Sequence, residues 1–238
     1  MKNQIEELQT KAFWDDKWKT IFDKYQQDLR HAYYVAAFLQ NDIESILEIG
    51  AGSFRDIAFL ASLKKKIGAF DFSSEACMLA QQQYPALANF FWQDDAFKIN
   101  IPNVSFDLSY SNGFIGCFDD EKIELLVREQ LRITKKQLII TLHNGHNQAF
   151  QEYFDSKKVL DNLFDIRFFR LSDIQRILSK FSFTYKVYPV GKAYKGFEDI
   201  LIQKNATFDE IKESIIAQGL VNLETSERLM IVSDPLRN

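Results

Sequence analysis

The stretch that decides the fold reads Leu-Glu-Ile-Gly-Ala-Gly-Ser at positions 47–53, between a short apolar strand and a helix. Glycine has no Cβ, so Gly50 and Gly52 permit a tight turn and a close approach of the backbone to a ligand. In open parallel sheets, ligands bind beyond the carboxyl ends of the strands, where this turn lies. The stretch therefore predicts a nucleotide-cofactor loop.

Apolar runs and helical periodicity alternate on both sides of this loop, which predicts a parallel sheet with helices on both faces. The predicted strands are Ser45–Ile49, Ile67–Phe70, Asn89–Trp92, Phe106–Tyr110, Gln137–Leu142 and a final pair, Phe183–Val190 with Phe197–Ile202. The predicted helices are Phe54–Lys65, Ser74–Tyr84, Asp119–Ile133, Asn147–Tyr153, Ser172–Lys180 and Phe208–Ala217. The apolar run Leu229–Val232 is interpreted as either a short strand or a docked tail.

Aromatic and aliphatic residues recur at spacings of three and four between positions 13 and 40. This spacing predicts one helix whose apolar stripe packs against the rest of the protein. Two interpretations remain open. The helix covers an edge of the core, or it forms a lid over the active site with Tyr33 or Tyr34 facing the substrate.

Composition and charge disfavour several classes of protein. The net charge is −4 in 238 residues, and binding to duplex nucleic acid usually needs a strongly basic face. No apolar run approaches the roughly 20 residues that cross a bilayer, so no membrane association and a cytoplasmic location are predicted. The two cysteines, Cys77 and Cys117, are widely spaced, which predicts neither a metal site nor a disulfide framework.

The residues around the glycine loop disfavour a dinucleotide. The dinucleotide fingerprint carries its third glycine at position 55, where this chain has Arg55. The residue before the loop is the acidic Glu48. A carboxylate at that place would repel a pyrophosphate. It can instead serve a cationic part of a ligand, such as the amino group of methionine.

Further carboxylates follow the next two strands. Asp71 lies nineteen positions after Gly52 at the end of a predicted strand, where it can accept both ribose hydroxyls or, alternatively, cap the next helix. Asp94, Asp95 and Ala96 follow the third strand. A carboxylate there, Asp95 by preference, can accept from an adenine amine, although an ordinary acidic loop is the other interpretation.

In this order and at these spacings, five segments resemble the class I, Rossmann-like S-adenosylmethionine-dependent methyltransferases, particularly their small-molecule branch. The segments are Trp14–Trp18, Leu47–Ser53, Phe70–Ser74, Gln93–Ala96 and Phe106–Gly113. The chain departs from many relatives in having Gly-Cys at positions 116–117 where they carry His. It also lacks the signatures of methylation on nucleic-acid bases, the Asn/Asp-Pro-Pro-aromatic motif and the Pro-Cys nucleophile.

The resemblance implies a doubly wound, seven-stranded, mostly parallel α/β sheet with an antiparallel last strand. It predicts one domain over residues 1–238, with an N-terminal helical cap (1–42), a Rossmann-like core (43–203) and a C-terminal helix and tail (204–238). It also implies S-adenosylmethionine as the cofactor, S-adenosylhomocysteine as the product, Phe72 near the adenine and Asn112 near the methionine end. The predicted cofactor-binding residues are Glu48, Gly50, Ala51, Gly52, Asp71, Phe72, Asp94, Asp95, Ala96, Ser111, Asn112 and Gly113.

Candidates for a general base follow the fifth strand. His143 and His146 lie at the functional edge of the sheet and titrate near neutral pH, although a polar loop that happens to contain histidines is the other interpretation. The predicted substrate pocket is formed by Tyr33, Tyr110, Phe114 and Asn144.

Three functions are consistent with the sequence. The first is methyl transfer to an oxygen or nitrogen of a small molecule. The alternatives are methylation of protein or RNA, and a non-catalytic protein that binds S-adenosylmethionine. A monomer or a homodimer is expected.

Overall fold

The computed structural model describes residues 10–27, 29–192 and 201–236, apart from the side chain of Lys192. Seven strands form one sheet in the order β3-β2-β1-β4-β5-β7-β6. All pairs are parallel except those that β7 makes with β5 and β6. The strands are β1 Ser45–Ile49, β2 Lys66–Asp71, β3 Phe91–Gln93, β4 Phe106–Asn112, β5 Thr134–His143, β6 Tyr185–Lys192 and β7 Ser226–Ser233.

Helices cover both faces of this sheet. Successive strand residues point to opposite faces, and adjacent Ile46 and Leu47 accordingly belong to different apolar clusters. The α-helices are α1 Lys11–Tyr25, α2 Arg30–Phe38, α3 Arg55–Ala61, α4 Ser74–Gln83, α5 Asp120–Ile133, α6 Gln148–Lys158, α7 Leu171–Leu178 and α8 Phe208–Gln218. Short 3₁₀ turns lie at Pro85–Phe90, Phe114–Cys117 and Asn162–Phe164. The predicted fold class, including the antiparallel last strand and the N-terminal helical cap, is confirmed.

The prediction of one continuous helix over residues 13–40 is wrong, because the chain breaks between α1 and α2. Gln26 ends α1 and its side chain is held outside the helix. Its amide donates to the Ser53 carbonyl at 3.0 Å and its side-chain oxygen accepts from the Tyr84 hydroxyl at 2.5 Å. The break lets α1 and α2 pack in different directions, which decides which aromatic residues reach the site.

The predicted pairing of Phe183–Val190 with Phe197–Ile202 is also wrong. Positions 201 and 202 are helical, and positions 197–200 lie outside the described residues. The partner of β6 is β7, so the strand interpretation of Leu229–Val232 is confirmed. Those four residues are all buried, as expected of a strand with a neighbour on each side and both faces covered. The sheet therefore extends past position 203, to Ser233.

The described residues contain neither a membrane-spanning helix nor a cluster of metal ligands. In that part of the chain, no helix combines the length and apolar character that a bilayer span requires. Nor do the described residues bring together three or more His, Cys, Asp or Glu side chains in a group that could hold a metal ion.

Candidate active site

A cavity of about 590 Å³ lies at the carboxyl ends of β1, β2, β4 and β5, beneath α1. This volume is within the range of small-molecule sites, about 300–1,000 Å³. The predicted residues that line it are Glu48, Gly50, Ala51, Gly52, Asp71, Phe72, Asp94, Asp95, Ala96, Asn112, Gly113, Phe114 and His143. The strand-end residues separated in the sequence are therefore brought together at one place.

The glycine loop follows β1 in a conformation that other residues rarely adopt. Gly50 and Gly52 have φ of +66° and +56°, in the left-handed region. A Cβ on Gly50 would lie 2.7 Å from the Phe114 ring, and one on Gly52 would lie 2.4 Å from the Trp18 ring. Close packing of aromatic rings against bare backbone thus requires glycine at both positions.

Helix α1 closes the cavity above this loop. Trp14, Trp18, Ile21 and Tyr25 recur at helical spacing on one face of α1, and all four line the cavity. The two indoles stack with ring centroids 6.3 Å apart. The lid interpretation of the N-terminal region therefore applies to α1. The residues of the lid that face the cavity are not Tyr33 or Tyr34, because neither lines it.

Asp15 anchors the lid to the sheet side of the cavity. Its carboxylate accepts from the Ser73 hydroxyl at 2.7 Å and from the Glu75 backbone N–H at 3.1 Å, at the start of α4. Partial burial would raise the pKa of Asp15, but hydrogen bonds from Lys11, Ser73 and Glu75 outweigh it and lower the pKa to about 2. The carboxylate is therefore ionised at neutral pH and holds α1 over the loop.

Asp71, the last residue of β2, organises the glycine loop from below. Its carboxylate accepts from the backbone N–H of Gly52 at 2.8 Å and of Ser73 at 2.9 Å. Burial raises the pKa of Asp71 to about 6, although these hydrogen bonds oppose the shift. Ribose binding by Asp71 stays a prediction. The residue that caps the N-terminus of α4 is Ser73, whose hydroxyl accepts from the Ala76 N–H.

A buried acidic pair lies beneath the loop. The Glu48 carboxylate accepts from the Ile57 N–H at 3.2 Å, and the Asp56 carboxylate accepts from the Asn112 amide at 3.2 Å. Burial raises the pKa of Glu48 well above its usual value, and the neighbouring charge of Asp56 raises it further. A cationic ligand group would favour the ionised form of both carboxylates, so this end of the cavity is suited to a cation.

The loop after β3 forms the opposite wall. The two carboxylates there shape the loop itself, because Asp94 accepts from the backbone N–H of Asp95 and Asn100, and Asp95 accepts from that of Phe97, each at 2.9 Å. Both residues line the cavity. Phe72 also lines the cavity and is 37% exposed, so its ring can provide an apolar wall for a flat ring system.

His143 ends β5 at the far end of the cavity from Asp71. Its imidazole is buried, and a Cβ on Gly113 would lie 3.5 Å from the ring. The rings of Phe154 and Phe168 surround it at centroid distances of 5.3 and 5.4 Å. Burial holds the pKa of His143 well below 6.5, and the nearby guanidinium of Arg228 lowers it further. His143 is therefore neutral at physiological pH.

The structure contradicts the other base candidate and one pocket residue. His146 does not line the cavity, because its Nε2 accepts from the Leu171 N–H at 3.0 Å and so caps α7. Asn144 is fully buried outside the cavity. Its amide donates to the carbonyls of Leu223 and Ser226, which fixes the loop after β5 to β7.

Three more predicted site residues lie outside the cavity. Ser111 and Tyr110 are buried within β4, where Tyr110 is beside Glu48 in the neighbouring strand. Tyr33 lies on α2 and stacks on Phe59 at 4.8 Å between ring centroids. These placements are corrections: β4 side chains before Asn112 point into the core, and the break after α1 turns Tyr33 away from the site.

The sequence prediction missed the lid residues of α1 and Arg228 of β7. The helical spacing of Trp14, Trp18, Ile21 and Tyr25 predicts that they share one face of a helix, but it does not predict what that face contacts. Arg228 had no local signal, since only the pairing of β7 with β5 brings it to the cavity.

Residues 46–137, which include the glycine loop, Asp71 and β4, match the family model described as a methyltransferase domain. By this match, residues 46–137 are those of a methyltransferase domain. The matched segment begins in β1 and ends in β5, so the methyltransferase match covers the part of the sheet that carries most of the cavity. No curated protein sequence matches the chain at a significant level.

Solved methyltransferase structures share this fold at low sequence identity. A methyltransferase from Archaeoglobus fulgidus has a TM-score of 0.61 and 13% identity, over 93% of this chain and 98% of that chain. The Haemonchus contortus phosphoethanolamine N-methyltransferase 2 has a TM-score of 0.58 and 16% identity, over 87% of this chain and 52% of that chain. The Streptomyces coelicolor geranyl diphosphate C-methyltransferase has a TM-score of 0.57 and 7% identity, over 87% of this chain and 78% of that chain. Likeness at these identities shows the fold of the methyltransferase domain.

Proposed function

We propose that this methyltransferase transfers the methyl group of S-adenosylmethionine to an oxygen or nitrogen nucleophile of a small molecule. One observation carries the proposal. A single cavity has the glycine loop and buried carboxylates at one end and a neutral, buried histidine among aromatic rings at the other.

The residues at the acidic end fit the cofactor in shape and in charge. Gly50 and Gly52 line the cavity, and Glu48 provides a carboxylate for a cationic amino group. Asp71 lies at the strand end where carboxylates accept ribose hydroxyls. The Trp18 ring lines the cavity, and its indole N–H is buried without a hydrogen-bond partner among the described residues.

The bound cofactor would supply a methyl group on a positively charged sulfur, which is displaced directly by a nucleophile. The protein's task is then to hold the acceptor in line and to exclude water. The α1 lid and the aromatic wall cover part of the cavity and so shield the reacting groups from water. In this proposal the imidazole of His143 accepts the proton of a nucleophile that arrives protonated, a role worth about 10²–10⁴-fold in rate.

A small molecule is favoured over a macromolecule by the coverage of the site. Helix α1 lies across the glycine loop and is fixed to α4 through Asp15, so it covers part of the cavity and narrows the access of a large acceptor. Structural relatives act on acceptors as different as phosphoethanolamine and geranyl diphosphate, so the acceptor has to be deduced from this chain's own cavity.

Calorimetry and turnover together test the proposal. S-adenosylhomocysteine is expected to bind with one site per chain, and turnover is expected with small acceptors, measured as release of S-adenosylhomocysteine. No binding would refute the cofactor site. Binding with turnover only on protein or RNA acceptors would favour a macromolecular substrate, and binding without any turnover would favour a non-catalytic role.

Cofactor affinity should depend on pH through Asp71. Its pKa is about 6 because of burial, and ribose hydroxyls donate best to the ionised carboxylate. Affinity for S-adenosylhomocysteine is therefore expected to be full above pH 7 and to fall as the pH drops through about 6. Calorimetric titrations from pH 5 to 8 measure this change.

The Asp71→Asn variant provides the control for this prediction, because Glu48 also has a raised pKa and lies in the same cavity. The variant should bind S-adenosylhomocysteine more weakly by roughly 1.5–3 kcal/mol, the value of a hydrogen bond to a charged group. It should also lose most of the pH dependence between 5 and 7. An equal pH dependence in the variant and in the native protein would refute the assignment to Asp71.

A further inference from the structure

A cation lies beside the proposed base at the substrate end of the cavity. In the register of β5 and β7, Arg228 is directly opposite His143. Residues opposite each other in antiparallel strands have Cβ atoms about 4.5–5.5 Å apart. The Arg228 side chain lines the cavity, with its guanidinium 5.5 Å from the centroid of the Phe150 ring.

The charge of Arg228 has no ion-pair partner among the described residues. Its guanidinium makes one long hydrogen bond, 3.5 Å to the backbone carbonyl of Glu227, and its Nε is buried without a hydrogen bond. The Glu227 carboxylate is 3.9 Å from the guanidinium of Arg30. Burial lowers the pKa of Arg228 to about 10, which leaves it protonated at neutral pH.

An unpaired, buried guanidinium is costly, and the other cations of the cavity are differently placed. Arg55 pairs with Asp56 at 3.3 Å and donates to the Tyr25 carbonyl. Lys122 also has an interaction partner. Of the described arginines and lysines that line the cavity, Arg228 is therefore the one whose charge is left for a ligand.

We propose that Arg228 binds a carboxylate group of the methyl acceptor, so that the substrate is an apolar or aromatic monocarboxylic acid. This inference rests on the proposed function and deepens it. The guanidinium offers a planar pair of donors that matches a carboxylate, and the acceptor's nucleophile would then lie beside His143.

The surroundings of Arg228 favour a ligand that carries one negative charge on an otherwise apolar molecule. Beside the neutral imidazole of His143, Arg228 presents one planar guanidinium, which suits a carboxylate better than a phosphate dianion. The adjoining walls are provided by Phe154, Leu163 and Phe164.

Matched acids and amides test the proposal. The protein saturated with S-adenosylhomocysteine is titrated with benzoate, phenylacetate, 3-phenylpropionate, cinnamate, indole-3-carboxylate and hexanoate, and with the primary amide of each. At least one acid is expected to bind tenfold or more tightly than its amide. The Arg228→Gln variant is expected to lose that preference, with its affinity for the amide unchanged.

Two outcomes would overturn the proposal. One is that no acid of the panel binds the native protein more tightly than its amide. The other is that Arg228→Gln weakens an acid and its amide equally, which indicates a structural role. Binding of S-adenosylhomocysteine is measured in both proteins, because its loss from the native protein would instead refute the proposed function. Retained cofactor affinity in the variant shows that the domain has folded.

Discussion

A His143→Phe variant is expected to bind S-adenosylhomocysteine normally and to lose about 10²–10⁴-fold in kcat, the usual contribution of a general base. Phenylalanine suits the surrounding rings of Phe150, Phe154 and Phe168, so the packing is kept while the proton acceptor is removed. The measurement is release of S-adenosylhomocysteine with the best small-molecule acceptor found in the turnover test.

The pH profile gives a second readout for the same variant. Because burial and Arg228 hold the pKa of His143 well below 6.5, the base is unprotonated at pH 7, and kcat should stay level between pH 7 and 8. Activity should fall only as the pH drops toward that lowered pKa. In His143→Phe this acidic fall in kcat should disappear together with the activity that His143 supplies.

His146→Ala is the matched control. His146 accepts a hydrogen bond from the Leu171 N–H and lies outside the cavity, so its loss should cost about 0.5–1.5 kcal/mol of stability and leave kcat unchanged. If the two variants lower kcat by similar factors, the assignment of the base to His143 is wrong.

The second large effect is expected from Gly52→Ala. The new Cβ would lie 2.4 Å from the Trp18 ring, and moving that ring away would open the lid over the cofactor loop. Overpacking of this kind costs about 1–3 kcal/mol, which corresponds to about 5- to 150-fold weaker binding of S-adenosylhomocysteine. Calorimetry measures the change, and the left-handed backbone adds a separate cost of about 1–2 kcal/mol to stability.

Gly219→Ala separates the two costs. Gly219 also has a positive φ, +52°, but a Cβ there would meet nothing within 4 Å. This variant should lose stability without any loss of cofactor affinity. Equal affinities in Gly52→Ala and Gly219→Ala would show that the contact of Trp18 with the loop is not part of the cofactor site.

The cofactor half of the site could be predicted because its signals are local. Each predicted carboxylate or glycine there follows directly from a strand that is visible in the sequence, and parallel strands end at one edge of the sheet. The glycine loop, Asp71 and the loop at Asp94 and Asp95 consequently line the cavity as expected. The prediction for Ser111 is wrong because successive strand residues point to opposite faces. Asn112, the last residue of β4, lines the cavity, but Ser111 before it does not.

The substrate half could not be predicted because it depends on long-range packing. Tyr33 shares a helical period with Trp18, but Gln26 breaks that period through contacts with Ser53 and Tyr84. Arg228 reaches the cavity only because β7 pairs with β5. Neither the break nor the pairing is encoded by spacing within a short window.

The position of β7 has a consequence for how the protein is made. β5 ends at His143, but the strand that pairs beside it begins at Ser226. At a synthesis rate of about 5–20 residues per second, a ribosome needs roughly 4–17 s to produce the intervening chain. During that interval the open edge of β5 can pair with strands of other nascent chains. Protection of this edge by a chaperone would therefore matter most while residues 144–225 are being translated.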